Sequence, residues 1–199
     1  MIALIIIDVQ NDFLPGGALG VPQGDEVIPV INRLIPEYSM VIATADWHPA
    51  DHQSFASQHA VRKVGDIVPL GETQQVLWPD HCVQGTLGSD FSDKLDTQRI
   101  NHVVRKGTNR DVDSYSGFFD NDGRGATGLE SLLRESGIQE VHLVGLATDY
   151  CVKFTALDAV KLGFQTKVIQ EAVRGVDLQS GDCERAFAEM RDIGVDIVA

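Results

Sequence analysis

Apolar residues along the chain fall into short continuous runs separated by longer segments of helical period. Ile2–Ile7, Met40–Ala45, His102–Arg105, Val141–Leu146, Gln165–Ile169 and Val195–Val198 have the length of buried strands. Continuous runs, unlike alternating ones, predict strands covered on both faces. Helical patterns stand between most of them. These are Asp25–Leu34, with Pro29 as a blemish, Gly128–Glu135 stopped by Gly137, Thr148–Leu162 stopped by Gly163, and Ser180–Arg191 stopped by Gly194. This alternation predicts an α/β fold with a doubly wound, mainly parallel β-sheet and helices on both faces. Pro49 to Ser89 breaks the rhythm. It shows neither period and carries three of the six histidines, and a loop of that length inside a compact domain is usually functional.

Composition narrows the function classes. A chain of 199 residues, 43% apolar and 23% charged, predicts one globular domain spanning 1–199. Its net charge of −13, with no Lys/Arg stripe, argues against a nucleic-acid partner. "MIALIII" ends at Asp8, too short for a membrane span and without a basic leader, so no membrane partner is expected. Three cysteines without paired spacing suit a reducing, cytoplasmic setting and not a disulfide framework. A homo-oligomer fits an acidic chain of this size.

In parallel sheets ligands sit beyond the carboxyl ends of the strands, so those ends are where chemistry is sought. Four of the predicted strands deliver reactive groups there: Asp8 in "IIIDVQNDF", Asp46 and His48 in "ATADWH", Lys106 in "NHVVRKG" and Cys151 in "VHLVGLATDY". Cys151 falls in the first turn of a helix that Thr148 or Asp149 could cap. There the backbone N–H groups and the helix dipole favour thiolate. A small buried core residue fits the same position. Asp8 could take the thiol proton and return it to a leaving amine, or merely cap the next turn. Lys106 could hold both charges, or be an ordinary solvated strand-end lysine. "DVQNDF" lacks the Gly-rich turn of a dinucleotide-binding fold.

Asp46 and His48 alternate on an extended chain and face one way, and His81 follows in "WPDHCV". One carboxylate with two or three imidazoles suits a divalent metal: zinc first, with iron and manganese as alternatives. Pro49 prevents His48 and His52 from forming a helical pair. Cys82 adjoins His81 but lacks the second cysteine of a zinc-thiolate site. His59, His102 and His142 stand without such company. Phe13, Trp78 and Tyr115 lie in loops near these strand ends, where they either plug the fold or wall a pocket for a flat ring.

"DVQNDF", "DWHPADHQSFAS", "WPDHCVQGT", "KGTNRDVDSYSGFFDNDG" and "GLATDYCVKFTALDA" together resemble the nicotinamidases (pyrazinamidases) within the isochorismatase-like cysteine hydrolases. The similarity runs over nearly the whole chain. It implies hydrolysis of nicotinamide to nicotinate and ammonia, in NAD salvage, through a thioester on Cys151. The resemblance implies a triad of Asp8, Lys106 and Cys151, and an oxyanion hole from the amides of Ala147 and Cys151 after a cis Leu146–Ala147 peptide. It also implies a metal on Asp46, His48 and His81. His52 matches a position that ligates metal in some relatives and not in others. The stretch Ala60–Val76 is where the resemblance is weakest, at the rim of the expected pocket.

Overall fold

Strand β1 (Ile2–Ile7) is the spine of the molecule, and its residues Ala3 to Ile7 are wholly excluded from solvent. Its side chains divide by parity, as a pleated strand requires. Ala3, Ile5 and Ile7 enter one hydrophobic core, and Leu4 and Ile6 enter the other. The computed structural model describes residues 1–199.

Around β1 lie β2 (Val41–Asp46), β5 (His102–Lys106), β6 (Glu140–Leu146), β7 (Gln165–Arg174) and β8 (Asp196–Val198), all parallel, in the order β5-β2-β1-β6-β7-β8. Helix α1 (Val27–Leu34) covers one face. Helices α2 (Leu129–Glu135), α3 (Lys153–Lys161) and α4 (Asp182–Asp192) cover the other. This is the doubly wound sheet the hydrophobic pattern predicts. The strand order reverses direction at β1, so the crevice between the ends of β1 and β6 is the topological switch point where such folds bind ligands.

Differences from the expected elements have local causes. Pro29 sits in the first turn of α1, where its missing N–H would have no intrahelical acceptor, and a short 3₁₀ turn at Gly24–Glu26 precedes it. Strand β7 continues to Arg174, five residues beyond the apolar run. Its pairing with β6 jumps from Leu143↔Val168 to Gly145↔Val173, and the polar Gln170 and Glu171 lie in that irregularity. Within the stretch read as irregular, β3 (Ile67–Leu70) and β4 (Thr73–Val76) form an antiparallel hairpin. Its strands are short and bury one residue each, so no hydrophobic alternation announces them.

Strand β6 meets β1 through Gly145↔Ile7, and Gly145 has φ +108°. A Cβ there would stand 2.2 Å from the Ile7 carbonyl oxygen, a backbone atom of the central strand that cannot withdraw. Gly145→Ala is expected to cost about 3 kcal/mol or more, combining core overlap with a disfavoured φ. A fall in the urea midpoint with an unchanged m-value would measure it.

Candidate active site

The sheet register sets the site. Ile7 pairs with Thr44 on one side and with Gly145 on the other, and Asp46 pairs with Lys106. Asp8, just past β1, Asp46 and Lys106, closing β2 and β5, and Cys151, just past β6, therefore arrive at one level on the carboxyl edge. All four are buried. Lys106 Nζ lies 2.9 Å from Asp8 Oδ2, donates to Asp46 Oδ1 and to the Ser114 carbonyl (2.9 Å), and stands 3.5 Å from Cys151 Sγ. Asp8 Oδ1 accepts from the Thr44 hydroxyl at 2.6 Å. Asp8 Oδ2 has no aligned donor.

Burial and charge compete here, and the winner differs by residue. Burial disfavours a charge on Lys106, but Asp46 and Asp8 outweigh it and hold the ammonium well above the ordinary lysine range. Burial also presses on Asp46, and there Lys106 and His48 win, keeping it ionised far below the usual carboxylate range. For Asp8 burial wins over Lys106 and raises its pKa. For Cys151 burial likewise wins over Lys106 and pushes the thiol well above its ordinary value. Burial thus biases both the thiol and the neighbouring Asp8 carboxyl toward their protonated forms.

The expected cap by Thr148 or Asp149 is absent. The helix opens with a π turn at Thr148–Val152 after Ala147, and no side chain caps it. Asp149 instead accepts from the amides of Val176 (2.9 Å) and Asp177 (2.8 Å), tying down the segment after β7. The Leu146–Ala147 peptide is cis.

Next to this cluster, Asp46, His48 and His81 offer ligand atoms within 4.8 Å of one another. His48 Nδ1 is bonded to the Gly107 carbonyl (2.8 Å) and His81 Nδ1 to the Pro79 carbonyl (2.8 Å). Carbonyl partners fix Nδ1 as the protonated nitrogen, which leaves Nε2 of each ring as a lone-pair donor. Those Nε2 atoms face Asp46 Oδ2 at 3.5 and 3.8 Å, and that of His48 is buried with no hydrogen-bond partner. Two lone pairs aimed at an ionised carboxylate fit a divalent cation.

His52 behaves differently. Its ring centroid lies 4.4 Å from that of His48, but Nδ1 engages Ser54 (Oγ 2.7 Å, amide 3.2 Å) and Nε2 the Val112 carbonyl (3.3 Å). Both nitrogens have partners in this arrangement, although His48, His52 and Asp113 also offer ligand atoms within 4.8 Å of one another. The buried Cys82 sulfur stands 3.9 Å from the Gly88 carbonyl. His142 is tied to Tyr38 (2.6 Å) and Glu140 (2.8 Å), and His59 to the Gln53 carbonyl (2.8 Å), far from the chemistry.

Above the thiol lies a cavity walled by Phe13, Trp78, Tyr115 and Tyr150, with Asp46, His81 and Cys151 on its floor. Trp78 meets Tyr150 edge-on at 5.0 Å between centroids. Phe13, Trp78 and Tyr115 were legible as candidates. Tyr150 was not singled out, although it adjoins Cys151. Gln10 was also missed. Its buried carboxamide clamps Asp46, accepting from the Asp46 amide (2.8 Å) and donating to the carbonyls of Asp46 and Ser89 (2.8 Å each). A glutamine two residues past Asp8 was the only signal.

Removing the buried ammonium leaves two carboxylates facing each other. Lys106→Met is expected to destabilise by about 3–5 kcal/mol near pH 8. In the variant at least one carboxylate has a folded-state pKa above its unfolded value, so stability is gained as pH falls toward that unfolded value. Urea titrations at about pH 8 and about pH 5 are expected to show the deficit narrowing at the lower pH.

Comparison with known proteins places this geometry. Residues 2–199 match the isochorismatase domain family. The chain is 49% identical over 198 residues to the nicotinamidase of Escherichia coli (strain K12), covering 96% of this chain and 92% of that one. Among solved structures it is similar to an Acinetobacter baumanii nicotinamidase/pyrazinamidase (45% identity, TM-score 0.96, 99% of this chain and 95% of that one). It is also similar to a Pyrococcus horikoshii pyrazinamidase in complex with zinc (39% identity, TM-score 0.80, 99% and 98%). With a family match over nearly every residue and the same fold at high similarity, this chain belongs to the isochorismatase family.

Proposed function

We propose that the chain is a nicotinamidase that hydrolyses nicotinamide, and the related diazine amide pyrazinamide, to the acid and ammonia through a thioester on Cys151. The observation that carries this is the buried thiol within reach of both a lysine ammonium and a carboxylate, at the floor of a cavity with aromatic walls. The nicotinamidases and pyrazinamidase to which the chain is similar support the same substrate class.

The ring of the substrate lies between Phe13 and Trp78, with Tyr115 and Tyr150 closing the edge, and its carboxamide carbon faces Cys151 Sγ. Asp8 Oδ2, the buried oxygen without an aligned donor, accepts the thiol proton as sulfur attacks. Its raised pKa suits a group that takes a proton and gives it back. Lys106, held cationic, stabilises the sulfur anion during transfer and keeps Asp8 in place. The amides of Ala147 and Cys151 receive the tetrahedral oxyanion, where loss of one such donor typically costs about 3 kcal/mol. Asp8 then returns its proton to the departing ammonia. In the second half Asp8 takes a proton from water as it attacks the thioester, and Cys151 leaves as thiol.

Asp46 Oδ2, His48 Nε2 and His81 Nε2 would hold one divalent metal, which we propose to be zinc; iron and manganese suit the same donor set. When bound, the metal supplies a Lewis-acidic site for the ring nitrogen. Asp46 binds Lys106 through Oδ1 and faces the imidazoles through Oδ2, so one carboxylate sets the distance between the two centres.

Cys151→Ala and Asp8→Asn are each expected to lower ammonia release from nicotinamide by about three orders of magnitude or more, with metal content unchanged. Retained turnover in Cys151→Ala would remove the thioester route. His48→Ala is expected to lose the metal and His52→Ala to keep it, as read by plasma mass spectrometry of the purified proteins.

A further inference from the structure

One cross-strand pair of the β3–β4 hairpin, Val68↔Gln75, is buried, and its other strand residues are partly or fully exposed. Val68 is an ordinary apolar anchor. Gln75 is 0% exposed, and a carboxamide in such a place is tolerated only when its polar atoms are bonded. All of them are. Gln75 Nε2 lies within donating distance of the Val76 carbonyl (2.7 Å), Asp113 Oδ2 (3.0 Å) and the Tyr115 hydroxyl (3.0 Å). Its Oε1 accepts from Asn121 Nδ2 at 3.5 Å, and Asn121 Oδ1 accepts from the Tyr115 amide at 2.9 Å. Tyr115 is thus held at both ends, its hydroxyl by Gln75 and its backbone by Asn121, and the two amides are bonded to each other. Trp78 Nε1 donates to the same hydroxyl at 3.1 Å, so one oxygen joins two of the cavity walls.

We propose that Gln75 is a positioning residue for substrate: by fixing the Tyr115 hydroxyl it sets the Tyr115–Trp78 wall and so the affinity of the cavity for a flat heteroaromatic amide. This rests on the nicotinamidase reading above. Gln75 makes no hydrogen bond to Asp8, Lys106 or Cys151, so its loss acts on ring binding and not on the reacting atoms. Without it the hydroxyl keeps only the Trp78 N–H, and the looser Tyr115 wall weakens binding of the ring.

The test is steady-state ammonia release with nicotinamide for wild type, Gln75→Met, Tyr115→Phe and the double variant. Methionine keeps the length of Gln75 and removes its donors. Gln75→Met is expected to raise KM about tenfold, the worth of one buried hydrogen bond, with kcat changed by less than about threefold. Tyr115→Phe is expected to raise KM similarly, and the double variant to be no more than about twofold worse than either single one, because both remove the same contact. A merely structural role would lower the folded fraction and hence apparent kcat with KM unchanged. That result, or multiplicative effects in the double variant, overturns the proposal. If Gln75→Met does not fold, Tyr115→Phe decides alone: an unchanged KM overturns it. Wild-type protein that releases no ammonia from nicotinamide would overturn the nicotinamidase reading and this inference with it.

Discussion

The ammonium of Lys106 is buried between two carboxylates from different strands, and the rest of the site is arranged around it. A lone charge at that depth would be neutralised by its surroundings. Here each ion is the other's solvent. Lys106 keeps Asp46 ionised, and an ionised Asp46 gives the imidazoles of His48 and His81 a negative neighbour that invites a cation. The same ammonium stands beside Cys151, where it favours the anion only once the proton has left. Burial wins for Asp8, as it does for the thiol of Cys151, and Asp8 is the acid placed to carry a proton between them. Two acids of the same kind therefore take opposite roles because one has an imidazole neighbour as well as the lysine and the other does not.

This arrangement depends on the topology. A parallel sheet delivers the ends of neighbouring strands to one level, and the reversal of strand order at β1 opens a crevice there. The floor is rigid, since it is made of strand termini clamped by Gln10 across to β2. The walls come from connecting segments, which is the usual division between scaffold and binding surface. Phe13 follows β1, Trp78 and Tyr115 lie in the long connections on either side of β5, and Tyr150 rides on the turn that carries the thiol.

How far the site was legible follows from which forces are local. Residues at strand ends were readable because the strands are covered on both faces and show as continuous apolar runs that stop where the sheet stops. β1 begins and ends where its pattern does, and β2, β5, β6 and β8 differ by a residue or so at an end. Strand β7 ran past its pattern because the extra length is bonded through an irregularity that polar residues occupy. The hairpin β3–β4 stayed hidden because only one residue of each of its strands enters the interior, and one of those two is a glutamine. The ring-walling role of Phe13, Trp78 and Tyr115 could be suspected from their positions but not told from that of aromatic plugs.

The sequence by itself determined the α/β class, the strand ends and the residue types gathered on one edge, because hydrophobic period and chain punctuation act over a few neighbours. Position and spacing suggested a thiol, acid and amine set and a metal set, and the resemblance to a known family gave each residue its expected role. Only the tertiary structure decided the protonation balance. The upward push on the Cys151 thiol and the bonding of His52 to Ser54 and Val112 depend on burial and on partners remote in sequence. Desolvation and charge pairing are sums over neighbours in space, and a linear order of residues carries no such sum.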